Sequence, residues 1–175
     1  MKLGYCIFAV SLGAAPEPVT LFYDQKVPQV AFAASEIRKA YTAAGQGLIE
    51  SGIDRLASTA SGIRIAIAAD NTQSRQVAAS LGVPPSKSSA PQSYAIRRMN
   101  TTVVVLGADP AGAMYGGLDI DEAIRLGSLD SLADSGHFPH IERRGIKFNV
   151  PLDARTPSYS DNSARGDAVR AQPRH

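Results

Sequence analysis

The sequence predicts a small α/β domain, an α+β sandwich in which helices cover one face of a mixed sheet. Three observations point there. Short β-rich runs alternate with stretches whose apolar residues recur at helical spacing, and two of the β-runs are separated by a two-residue turn signal. No internal repeat organises the chain. At 175 residues, 44% of them hydrophobic and 19% charged, there is room for one compact domain and a tail, and not for two full domains.

The elements follow in order. "VTLFY", Val19 to Tyr23, is β-rich and bounded by Pro18 and the polar "DQK", so it reads as the first strand. After Pro28, the positions Val30, Ala33, Ala34, Ile37, Tyr41 and Ala44 form an apolar stripe, and Glu36, Arg38 and Lys39 lie off it. That is an amphipathic helix closed near Gly45. From Gln46 to Gly62 the pattern weakens into Gly, Ser and Thr, which predicts a surface excursion. "IRIAIAAD", Ile63 to Asp70, is a strand, and Ser74 to Leu81 is a helix with Val77, Ala78 and Leu81 inward and Gly82 at its end.

"PPSKSSAP", Pro84 to Pro91, is a loop by composition. "SYAIRRM" and "TTVVVLG" then flank Asn100, which predicts an antiparallel hairpin turning at Asn100 and Thr101. The last helix is the best defined. Asp109 stands where an N-cap should, Pro110 suits the first helical position, and Gly127 closes the run. Its inward face is Ala113, Gly116, Gly117, Ile120, Ala123 and Ile124. Two interior glycines cost about 1 kcal/mol each against alanine, so close approach to a sheet is expected as the compensation.

Composition narrows the function. A net charge of +2 gives no electrostatic footprint for nucleic acid. Cys6 is the single cysteine, so an internal disulfide and a cysteine-based zinc site are excluded. "VVVLGADPAGAMYGG" runs from strand through glycine into a helix, but its glycines do not form GxGxxG and no GK[ST] follows, so no nucleotide or other cofactor is implied. His137 and His140 sit in a Pro-containing loop without a carboxylate or cysteine pattern nearby, which fits an exposed pair better than a metal site.

The N-terminus, "MKLGYCIFAVSLGAAPEP", has one Lys, an apolar run from Leu3 to Leu12 and then small residues. Residues 1–15 therefore read as a secretory signal peptide, too short for a permanent membrane span, which implies a periplasmic or extracellular protein with no membrane partner. The other reading is a buried first strand, "YCIFAV".

Carboxylates are the remaining route to chemistry. Asp119, Asp121 and Glu122 lie on the outer face of the last helix, where charge is ordinary solvation, and Glu17, Asp24 and Glu36 are scattered. Asp153 and Arg155 alone are placed as a site would be, at the end of the β-rich stretch Gly145 to Val150 that follows a linker. Such a pair can bind sugar hydroxyls or a carboxylate through charge-assisted hydrogen bonds, or can simply pair with itself in a loop.

Three stretches, "VPQVAFAASEIRKAYTAAG", "GADPAGAMYGGLDIDEAIRLG" and "PHIERRGIKFNVPLDARTPSYSD", resemble the front end of multidomain bacterial glycoside hydrolases. In these a small α/β domain, as in family 20 β-hexosaminidases (their domain 2) and α-glucuronidases, precedes a catalytic (β/α)8 barrel. The resemblance implies an accessory domain over 16–128, a linker over 129–143 and the first barrel strand over 144–161. It also implies that Arg155 contacts the sugar, with Asp153 beside it, although the hexosaminidase pattern spaces its Asp and Arg by one residue more. Hydrolysis in such enzymes uses carboxylates on later barrel strands. A barrel needs roughly 200 residues, and only 31 follow Arg144, so the resemblance implies a truncated enzyme, inactive alone. The tail 162–175, "NSARGDAVRAQPRH", lacks an apolar stripe and reads as a disordered or aberrant end. The alternative is a free-standing module that binds carbohydrate or protein, against which the 6% aromatic content and the lack of Trp argue as a stacking platform.

Overall fold

The computed structural model of the chain describes residues 18–59 and 61–140. The signal segment, the strand 144–161 with Asp153 and Arg155, and the tail lie outside the described residues.

Six strands form one sheet: β1 (Val19–Tyr23), β2 (Leu48–Gly52), β3 (Ile63–Ala68), β4 (Tyr94–Met99), β5 (Thr102–Gly107) and β6 (Ser135–His137). Their spatial order is β2-β1-β3-β5-β4-β6. The first four in that order are parallel, β4 is antiparallel to β5, and β6 is antiparallel to β4. Three helices are α1 (Pro28–Ala43), α2 (Asn71–Leu81) and α3 (Pro110–Arg125), with 3-10 turns at Ile53–Ser58 and Leu129–Ser131. The chain is a mixed-sheet α/β sandwich.

Side-chain alternation along the central strands feeds two cores. Leu21, Ile65, Ile67, Val103 and Val105 point to α1 and α3. Phe22, Ala66, Ala68, Val104 and Leu106 point to α2 and to Leu56 of the first 3-10 turn. Both faces of the sheet are therefore covered, where the sequence predicts one. The cause is topological: β1 to β2 and β2 to β3 cross the sheet in opposite directions, so right-handed crossovers put α1 and the 3-10 turn on opposite faces. Strands buried on both faces read as near-continuous apolar runs, as "VTLFY" and "TVVVLG" do.

Local chemistry explains where the elements stop and start. Asp70 caps α2 by accepting from the Thr72 and Gln73 N–H groups, and Asp109 caps α3 by accepting from Gly112 N–H. Gly45, Gly82 and Gly127 end the three helices at positive φ. Asn100 takes φ 53° at the hairpin turn, which asparagine tolerates. Glycine in α3 serves close approach, as its pattern predicts. A Cβ on Gly116 would meet Val105 of the sheet at 2.4 Å, and one on Gly117 would meet the Cβ of Ala33 in α1 at 2.7 Å.

Two strands leave little trace in the sequence. β2, "LIESG", is a half-exposed edge strand inside the stretch read as a surface excursion. β6 has three residues, lies inside the stretch read as linker, and closes the opposite edge.

Candidate functional site

The carboxylates of the described residues are largely committed to holding elements together. Glu50 on β2 bonds the Arg38 guanidinium of α1, with Nη2 to Oε2 at 3.0 Å, and accepts the Tyr23 hydroxyl of β1 at 2.6 Å. Arg38, and then the Tyr23 hydroxyl, hold the Glu50 carboxyl below its ordinary range against the opposing effect of burial. A general acid needs the opposite shift. Asp24, Glu50 and Asp54 line a groove at the C-terminal ends of β1 and β2, but Glu50 is locked in this triad and Asp24 accepts from the Lys26 N–H. Asp121 pairs with Arg125 along α3, and Glu36 with Lys39 along α1.

Asp119 departs from the sequence reading. Rather than being simply solvated, it accepts the Tyr94 hydroxyl at 2.5 Å. Tyr94 and His137 are directly opposite each other on β4 and β6, and their rings stack with centroids 4.7 Å apart and planes 8° from parallel. Burial, and then the Asp119 carboxylate, push the Tyr94 phenol well above its ordinary range. The linkage fastens β6 and α3 to β4 and keeps the phenol protonated. No periodicity signals a pair 25 residues apart.

A cavity of about 720 Å³ lies between the 84–88 loop and β6. Its wall holds Arg97, whose side chain is 9% exposed. Arg97 donates from Nε to Pro84 O at 3.1 Å, from Nη1 to Ile96 O at 2.8 Å and Ser135 O at 2.7 Å, and from Nη2 to Pro85 O at 3.4 Å. Asp134 approaches only to 4.0 Å and is half-exposed. Lys87, Ser88, Asp134 and Phe138 complete the part of the lining that bears on recognition. Sequence reading passes over this cavity, because "PPSKSSAP" carries only the composition of a loop. An Arg at an inward position of a strand is the one signal that could have pointed to it.

Among the predicted site residues, Asp153 and Arg155 lie outside the described residues. His137 and His140 are exposed, and the His140 ring lies tilted against Phe138 with centroids 5.9 Å apart. Among the described residues no group of three or more His, Cys, Asp or Glu side chains is placed to hold a metal ion, and no helix is long and apolar enough to cross a membrane.

No protein-family model matches the chain, and no curated protein matches it. Among solved structures it is similar to a GH138 enzyme targeting pectin rhamnogalacturonan II, at 15% identity and a TM-score of 0.47. The likeness covers 69% of this chain and 12% of that one, so the chain spans a small fraction of the length of the structure it matches.

Proposed function

We propose that this chain is the N-terminal part of a glycoside hydrolase: an accessory α/β domain and the first strand of a catalytic barrel whose carboxylates lie on strands beyond these 175 residues. One observation supports the reading most: most acidic side chains of the described α/β unit serve as caps, ion pairs and phenol acceptors, as those of a scaffold do. The sequence resemblance of "RGIKFNVPLDAR" to a first barrel strand supplies the enzyme class. In this reading Arg155 and Asp153 contact sugar in the whole enzyme, and residues 1–15 direct export.

Glycoside hydrolysis needs a protonated acid and a second carboxylate set across the scissile bond, or one carboxylate and a substrate group. Glu50 is held ionised by Arg38 and cannot act as that acid at neutral pH. The purified chain is expected to release no nitrophenol from nitrophenyl glycosides of either anomeric configuration. Turnover that follows the protein through successive purification steps would contradict the assignment of the acids to missing strands.

A further inference from the structure

We infer that the cleft between the 84–88 loop and β6 is a binding site for an anionic saccharide. The electrostatic half of the inference stands on charge and geometry alone. Two cations, Lys87 and Arg97, line the cleft against one carboxylate, Asp134. Arg97 is nearly buried, and each hydrogen bond it makes among the described residues is to a neutral backbone carbonyl. Its five N–H groups make four such bonds, the one from Nη2 long at 3.4 Å, so among the described residues one Nη2 N–H is left without a bond. Asp134 spends one carboxylate oxygen on the Arg98 N–H at 2.7 Å. Lys87 makes no ion pair or hydrogen bond among the described residues. A nearly buried guanidinium whose counter-charge, Asp134, stands 4.0 Å from Nε and also accepts the Arg98 N–H, beside a Lys87 ammonium unpaired among the described residues, favours an anion in the intervening space.

The saccharide half rests on the function proposed above and on the rest of the lining. Phe138 is 61% exposed at the mouth and offers an apolar face to a sugar ring. Ser88 and Asp134 supply hydroxyl and acceptor groups that match sugar hydroxyls. At about 720 Å³ the cleft holds a ligand of two or three rings. The exposed rings of the lining are Phe138 and His137, and His137 is already stacked on Tyr94, so recognition depends on charge and neutral polysaccharides are not retained. A carboxylate and a sulfate ester present the same chemistry to Lys87 and Arg97.

The test is titration calorimetry of the full chain at low salt with four probes: a galacturonate trisaccharide, a sulfated disaccharide, maltotriose and sodium acetate. Binding of either acidic saccharide, with maltotriose and acetate silent, supports the site and identifies the acidic group. The Lys87→Ala variant, altered at an exposed position, is expected to weaken that binding roughly tenfold with an unchanged circular dichroism spectrum. Added salt should weaken it further. Silence with both acidic saccharides, equal binding of acetate, or an affinity that Lys87→Ala leaves unchanged would overturn the inference. None of those results touches the assignment to a glycoside hydrolase, which is read from hydrolysis and from coding sequence.

Discussion

Gly117 stands where α3 crosses α1, and the Cβ of Ala33 is 2.7 Å from the point a methyl group would occupy. Ala33 has no rotamer to yield, so Gly117→Ala must push the two helices apart. The gain in helix propensity, about 1 kcal/mol, is smaller than the cost expected of overpacking a fully buried crossing. Urea unfolding should show a net loss of up to about 2 kcal/mol. Tyrosine makes a second prediction at this scale. Burial pushes the Tyr41 phenol up to about 12, and burial, with Asp119 and Glu50 respectively, raises Tyr94 and Tyr23. A phenol raised in the folded state stabilises the fold fully below the unfolded value, near 10, and that contribution is lost as pH rises through the folded values. Stability should therefore fall from about pH 10 upward. Spectrophotometric titration should show Tyr23, Tyr41 and Tyr94 ionising later than free tyrosine. If all six tyrosines titrate together near pH 10 while the chain is still folded, the burial assigned to these three is wrong.

At the scale of elements, Arg97 joins three pieces of chain: its own strand β4, the loop at Pro84 and Pro85, and β6 through Ser135. Arg97→Met keeps most of the packing volume and removes those bonds. Amide exchange in β6 and the 84–88 loop should quicken, and exchange in β1, β3 and β5 should hold. Uniform quickening across the sheet would show that Arg97 supports the fold as a whole rather than its edge. The same edge shows what sequence can and cannot carry. Helices α1 and α3 are legible because an apolar stripe, a proline start and a glycine stop agree over sixteen residues each. The hairpin is legible because Asn100 sits between "SYAIRRM" and the β-branched run "TTVVV". β2 and β6 are not, because an edge strand buries one side at most, and three residues or a central Glu50 leave no alternation to read. The Tyr94–Asp119–His137 linkage is invisible for a related reason: it exists only once β4, β6 and α3 meet.

For the whole molecule, the described α/β unit has two cores, side-chain caps on α2 and α3, and most of its acidic groups bonded to other residues. Its class was legible in the order of strands and helices. The covering of both faces was not, because the strand order β2-β1-β3-β5-β4-β6 is set by long-range pairing that local pattern does not encode. The candidate sugar contacts Asp153 and Arg155 are placed by resemblance alone, since they lie outside the described residues. The central claim is that this unit belongs to a larger hydrolase whose catalytic acids lie further along. Reading the coding DNA past the His175 codon in all three frames tests it most directly. The account predicts a barrel helix followed by further strands, at least one of which ends in Asp or Glu, whereas sequence without coding potential in every frame would contradict it.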